Sequence, residues 1–343
     1  MINSYNTHYF KYYALDKDLN NPRDITYLVE GGKVSYNSLS RLKASCTLSL
    51  SLSTNELLDL PAVRIYSCMN GQDECIGTFF NKVPETTYDG QLQEVSPTCY
   101  STLVRLSSNS PSSRYYVPRG TNAVAEIKRI LDGFGYSYNI PDSTKTTSTD
   151  KEFPLGEYYL DIINYLLDVV NYTSLHVDVY GDYVAVPYEL PYDREIDLEL
   201  NENDIDNIIE PVQKHTLDTL NIPNKFIRYC SSDPLIDLFA VYEYTDGPTG
   251  TTNTWVNTDC QEVSDVADYD TLYDMCKKAC AESTSIYDKV EVTIAFTMLP
   301  TYMPTVYLNH YQATGKYTCT SFDMELETGG AVTLNLRKSV IIV

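Results

Sequence analysis

RGTNAVAEIKRILDGFGYSYNIPDSTKTTSTDKEFPLGEYYLDIINYLLDVVNYTSLHVDVYGDYVAVPYELPY, residues 119–192, carries the clearest helical periodicity in the chain and separates two long regions that alternate like strands. Val124, Ile127, Leu131 and Phe134 fall on one helix face, which Thr121 can cap. Gly133 and Gly135 bracket the end of that helix, where a left-handed residue costs little. The polar run Asp142–Lys151 has no apolar period and is a loop. A second helix over about Glu157–Asn171 gathers Leu160, Ile163, Leu166, Leu167 and Val170 on a wide apolar face. Leu175, Val177 and Val179 then alternate with His176 and Asp178, which predicts a half-buried strand. Gly181-Asp182 predicts a two-residue hairpin turn, with Tyr183–Tyr188 as the return strand. Pro187 and Pro191 keep that strand from continuing inside a sheet.

Upstream, His8–Leu15 and Ile25–Glu30 read as strands. The alternation is most regular over Ser45–Ser53, with Cys46, Leu48, Leu50 and Leu52 on one face and Ser or Thr on the other. Asn55–Leu60 is a short acidic connection. Val63–Met69 and Glu74–Phe80 form a hairpin around the turn dipeptide Asn70-Gly71. Gln91–Leu106 supplies one or two more strands, and the Ser-rich stretch Ser107–Ser113 marks a boundary. Downstream, the passage Asp193–Asp206 (DREIDLELNENDID) predicts a solvated loop and edge strand. It lacks the Gly and the terminal bidentate Glu of an EF-hand-type calcium loop. Strands follow at Lys225–Cys230 and Leu235–Tyr244, then a flexible turn at Gly247–Asn253. A third helix over Asp270–Ser283 presents Leu272, Met275, Cys276, Ala279 and Cys280. Lys289–Met298, Thr305–Asn309, Lys316–Glu325 and Ala331–Val343 complete the chain as strands. The expected class is α+β, mainly β. Residues 1–117 form a first barrel-like domain, with 193–225 as a candidate completion of it. Residues 118–192 form an α+β middle domain, and 193–343 a second barrel-like domain with one helix.

A chain of 343 residues can bury a sizeable core. Its 25 Lys+Arg against 47 Asp+Glu give a formal net charge of −22, which argues against tight binding to nucleic-acid phosphates. The 31 tyrosines suit strands and large protein interfaces alike. Nine cysteines form no CxxC pair, and the first residues carry neither a basic n-region nor a continuous apolar run. The expectation is free thiols in a reducing cytoplasm, with no signal peptide and no membrane span. Cys276 and Cys280 share a helix face, yet no His or second Cys pair accompanies them to make a zinc signature.

Several stretches, in their order and spacing, resemble the baseplate hub proteins of phage tails and phage-tail-like particles, including contractile injection systems and R-type bacteriocins. Ile76-Gly77-Thr78-Phe79 resembles the family's short LGTF strand. AEIKRILDGFGYSYNI, followed by LDIINYLLDVVNYTSLHVDVYGDYVAVPYELP, resembles its two helices and its DxxG hairpin ended by a Pro-Tyr strand. Asp218 with Ile222-Pro223-Asn224 resembles the element that leads into the second β domain, and GGAVTLNLRKSV resembles the finish. The chain departs from the pattern at Pro300–Leu308, where Met303-Pro304 replaces an Asp before the strand. The resemblance implies two similar barrels per chain and a homotrimer that presents six barrels in a ring. Such a ring adapts the hexameric tail tube to a trimeric central spike or fibre and starts tube assembly. Implied partners are the tail tube protein, the spike or tail fibre protein, the tape measure protein and the baseplate wedge. The implied location is a virion baseplate or tail-like particle assembled in the host cytoplasm. If acidic residues, Asp193–Asp206 among the candidates, line the lumen, DNA would pass without sticking; if they face outward, they confer solubility alone.

Two rival classes are an enzyme, such as a tail-associated cell-wall hydrolase, and a tail-tip receptor-binding adhesin. His8, His176, His215 and His310 lie far apart in sequence with no Cys-His or HExxH spacing, and no GxSxG, P-loop or dinucleotide fingerprint occurs. No catalytic, cofactor-binding or metal-ligating residue is therefore singled out, and no cofactor is implied. An adhesin of the fibrous kind would repeat its strands, whereas two amphipathic helices stand at the centre here.

Overall fold

The computed structural model describes residues 8–52, 60–89, 92–201, 208–217, 221–230, 238–310 and 313–342. Expectations placed on Ser53, Asn55–Asp59, Gln91, Glu202–Asp206, Asp218, Leu235 and Val343 lie outside the described residues. The first region contains β1 (His8–Leu15), β2 (Arg23–Asp24), β3 (Val29–Asn37), β4 (Ala44–Leu52), β5 (Ala62–Met69), β6 (Gln72–Asp89), β7 (Leu92–Ser101) and a short helix α1 (Leu103–Ser107). The middle region holds β8 (Tyr115–Val117), α2 (Ala123–Phe134), β9 (Tyr138–Asn139), β10 (Lys151–Phe153), α3 (Tyr159–Val169), β11 (His176–Val177) and β12 (Tyr183–Val184). The last region has β13 (Leu198–Asn201), β14 (Ile208–Leu217), β15 (Lys225–Cys230), β16 (Leu238–Glu243), β17 (Thr258–Glu262), α4 (Tyr269–Thr284), β18 (Asp288–Ala295), β19 (Thr305–His310), β20 (Ala313–Glu325) and β21 (Ala331–Lys338).

Mainly β architecture with few helices is what the strands build. A 13-stranded sheet runs β14-β18-β21-β20-β3-β4-β7-β6-β5-β1-β2, with β19 on β20 and β13 on β19. The first and last regions meet where β20 pairs antiparallel with β3, Phe322 opposite Tyr36. One apolar core accordingly mixes residues from both regions, including Val34, Tyr36, Leu48 and Ile65 with Leu308, Phe322, Leu334 and Leu336. Of the passage 193–225, β13 pairs with β19 and β14 with β18. The alternation in β4 is realised as written: Cys46, Leu48 and Leu50 are buried while Thr47 and Ser49 face out. Asn70 and Gly71, both at positive φ, close the β5–β6 hairpin with Met69 opposite Gln72.

Local chemistry moved several boundaries. Asn122, rather than Thr121, caps α2, its side chain accepting from Ala125 N at 2.9 Å. The Thr121 hydroxyl instead donates to the Pro118 carbonyl. Ile25–Glu30 starts as a 3-10 turn over Thr26–Leu28, because the Asp24 carboxylate accepts from Thr26 N and bends the chain. The end of Gln91–Leu106 is helical in α1. The strand β17 was not expected; its five residues are mostly polar and exposed and carry no alternation to read. It pairs parallel to β15, which pairs antiparallel with β16 on its other edge, in a separate three-stranded sheet. The inner face of that sheet packs Phe226, Ala240 and Tyr242 against Leu272, Cys276 and Cys280 of α4. None of the described helices is long and apolar enough to cross a membrane.

The turn after β16 shows why an Asn follows Ile222-Pro223. Asn224 is fully buried, and its amide donates to Thr249 O, Thr254 Oγ1 and Trp255 O, each at 3.1 Å. Its side-chain oxygen accepts from Asn257 N at 2.9 Å. One side chain thus ties the Gly247–Asn253 loop, expected to be flexible, onto the start of β15. Replacing Asn224 by Ala strands the buried Thr249 carbonyl, costing about 1–3 kcal/mol, and frees the partly buried groups at Thr254, Trp255 and Asn257. The expected outcome is a lower denaturation midpoint together with a drop in the fluorescence anisotropy of Trp255, the chain's single Trp, at temperatures where the rest stays folded.

Candidate functional site

Two of the segments that carry the resemblance, Ile76–Phe79 and the Asp178–Gly181 turn, meet at one joint between the middle region and the sheet. Asp178 begins a DxxG turn, and its Oδ1 accepts from the backbone N–H groups of Tyr180, Gly181 and Asp182 at 2.9–3.0 Å. The strand expected over Leu175–Val179 is therefore only His176–Val177, and the turn is five residues rather than two. Backbone carbonyls of the turn face outward and meet the first region. Val179 O accepts from Thr78 Oγ1 at 3.0 Å, and Gly181 O from Thr102 Oγ1 at 2.8 Å. Arg64 donates to Tyr180 O at 3.1 Å, and Tyr183 OH donates to Thr102 O at 3.0 Å. Gly181 sits at φ +94°, and a Cβ there would lie 2.7 Å from Thr102 Cγ2. Gly77 is required on the sheet side: a Cβ would lie 2.7 Å from the Tyr36 hydroxyl, which donates to Ile76 O.

The middle region is held on its other flank by the last region. Asp265, almost fully buried, accepts from Ser148 N at 2.9 Å, Ser148 Oγ at 2.5 Å and Tyr165 OH at 3.3 Å. The stretch 300–304 bridges back. Thr301 Oγ1 donates to Val177 O, and Met303 N donates to Ser38 Oγ. Asp197 takes the place of the missing local carboxylate before β19, its Oδ2 accepting from Thr305 N at 2.7 Å.

The histidines stay apart in space. His8 packs on Phe10 and Phe296, and His176 stacks on Tyr302 at 4.2 Å between ring centres. His215 faces Asp288 at 2.9 Å, and His310 is buried at the end of β19. Eight of the nine cysteines are buried and only Cys260 is exposed. Cys276 and Cys280 face the α4 core, and burial pushes the Cys280 thiol up to about 12. Among the described residues no group of three or more His, Cys, Asp or Glu could hold a metal ion.

A cleft of about 380 Å³ lies where the three regions meet, lined by Lys43, Tyr188, Lys278, Glu282, Tyr302 and Arg337 among others. Lys43 and Lys278 lie over the rings of Tyr302 and Tyr188 at 5.8 and 5.0 Å. Burial, reinforced by Lys278, brings Lys43 down to about 8. Nothing in the sequence pattern marked this cleft, because its residues come from segments scattered along the chain.

No protein-family model matches the sequence, and no curated protein matches it significantly. Solved structures do. The 43 kDa tail protein of prophage MuSo2 from Shewanella oneidensis superposes with a TM-score of 0.67 over 96% of this chain and 98% of that one, at 11% identity. A tail protein from Neisseria meningitidis gives 0.68 over 96% and 97%, at 14% identity. This chain has the fold of phage tail proteins. Prophage tail protein gp18 from Listeria monocytogenes adds a third case, with a TM-score of 0.62 over 96% and 94% at 14% identity.

Both the turn and the histidine beside it are open to direct test. Gly181→Val combines a positive-φ strain with a clash on Thr102, so the middle region should detach locally; limited proteolysis should cut within 178–182 in the variant and spare the parent. His176 is buried and its pKa is lowered to about 4, first by burial and then by Lys43, against the Ser174 carbonyl and Asp178. A depressed histidine contributes full stability above its unfolded value near 6.5 and loses it as pH falls toward 4. Acid titration of unfolding midpoints should therefore cost up to about 3 kcal/mol over that window. His176→Phe, which keeps the stack on Tyr302, should flatten the dependence.

Proposed function

We propose that this chain is a structural hub of a phage tail baseplate or phage-tail-like particle, acting as a homotrimer and not as an enzyme. The observation that carries the reading is the likeness of fold to tail proteins along nearly the whole of both chains, rather than over one module. Residues 1–117 and 193–343 serve as two barrel-like domains, and 118–192 as the α+β domain clamped between them. A trimer of such chains displays six similar β units in a ring. It matches a hexameric tail tube on one side and a threefold spike or fibre on the other, and offers a starting platform for tube polymerisation. The tape measure protein and baseplate wedge are further partners in this reading. The place of action is the tail of a virion or tail-like particle, and DNA passes without specific binding because the chain carries −22.

Multi-angle light scattering of the purified chain, and averaged images of the particle it assembles into, test the reading. Three copies in a ring at the end of the tube is the expected result. A single copy in the assembled particle would falsify it.

A further inference from the structure

The basic side chains of this acidic protein are not scattered evenly. The junction cleft carries Lys43, Lys278 and Arg337, and an adjoining cleft, which shares Leu39, Thr320 and Arg337 with it, adds Lys214 and Lys289. Only two carboxylates, Glu282 and Glu291, line the pair of clefts. None of the five cations takes part in an ion pair within 4 Å among the described residues, although Lys278 acts at longer range on Asp168 and Glu282, and Glu282 on Arg337. Lys11, Lys33, Arg41, Arg114, Lys128, Arg129, Arg228 and Lys338, by contrast, all face carboxylates. Other described cations, Lys17, Arg23 and Lys145 among them, are likewise outside ion pairs; what sets the clefts apart is that cations outnumber carboxylates there in a chain with 25 Lys+Arg against 47 Asp+Glu.

Copies carrying −22 each repel one another, so a homo-oligomer needs a local patch of opposite sign to hold and orient its members. We propose that this groove is a docking site for carboxylates of a second copy of the same chain, with Lys43, Lys278 and Arg337 as its centre and Lys214 and Lys289 as its rim. Charge complementarity selects the occupant: a net-positive groove on a chain whose overall balance is strongly negative finds its partner in another copy. The groove also joins segments 38–43, 173–191, 278–286 and 318–337 of one chain, so an occupant seated there would lock the three regions together. Burial first, and then Lys278, disfavours the charged form of Lys43, and an incoming carboxylate would favour it.

The inference rests on the homo-oligomeric reading above, and the test separates the two. Lys278→Glu/Arg337→Glu is compared with the parent and with Lys17→Glu/Arg23→Glu, which changes net charge equally at exposed positions away from the groove. Oligomer dissociation is followed by light scattering against concentration, at low and high salt. The groove pair should weaken association on the order of 100-fold, as loss of close interfacial charge pairs does. The control pair should leave it near the parent value, and the parent should weaken as salt is raised. If the reversed pair does not fold by near-ultraviolet circular dichroism, Lys278→Met/Arg337→Met, which keeps side-chain bulk, replaces it in the same comparison. A parent trimer that persists unchanged in the groove variants overturns the docking site while leaving the hub reading intact. A parent that is monomeric, in solution and in the particle, overturns both.

Discussion

One carboxylate, that of Asp178, organises the joint on which the rest of the structure depends. By accepting three consecutive backbone N–H groups it rolls residues 178–182 into a rigid turn, and hydrogen bonds to a charged group contribute about 1.5–3 kcal/mol each. The roll points the carbonyls of Val179, Tyr180 and Gly181 away from the middle region. These find donors on Thr78, Arg64 and Thr102 of the first region. Without the turn, the three carbonyls would lie against a sheet with no donor in register. Glycine is the only residue type that fits at 181, because the turn needs positive φ at the point of closest approach to Thr102.

The same logic of a single polar side chain satisfying several backbone groups recurs at Asn224 and Asp265. Each is buried, each has its hydrogen-bonding capacity used, and each joins pieces remote in sequence. Apolar burial supplies most of the driving force in the shared core of β3, β4, β20 and β21, but it is non-directional. The Asp178 turn and Asp265 fix how the middle region sits against the first and last regions, and Asn224 fixes a loop within the last region.

Charge is partitioned accordingly. Many basic side chains of the described residues sit in ion pairs at the surface, where such pairs add little stability. The groove between the regions keeps its cations out of ion pairs. Cations outnumber carboxylates in that groove, against the strongly negative balance of the whole chain.

Periodicity alone was enough for the helices and for most strands: the buried faces of α2, α3 and α4, the alternation of β4 and the Asn70-Gly71 turn all follow from residue spacing, since local burial patterns are written at 3.6 or 2 residues. The family resemblance, rather than spacing, marked Ile76–Phe79, Asp178–Gly181 and Ile222–Asn224 as places that matter. What it could not supply was their meeting. The β20–β3 pairing joins residues from opposite ends of the chain, and β17, polar and exposed, had no pattern to betray it. His176 looked like the wet side of a strand and is buried under Tyr302, because a third segment covers it. The groove cations come from distant strands, loops and a helix, and each alone is an ordinary surface lysine or arginine. Local sequence determined the elements and the turn chemistry; only the tertiary structure decided which of them touch, because contacts between remote segments depend on the summed geometry of everything between them.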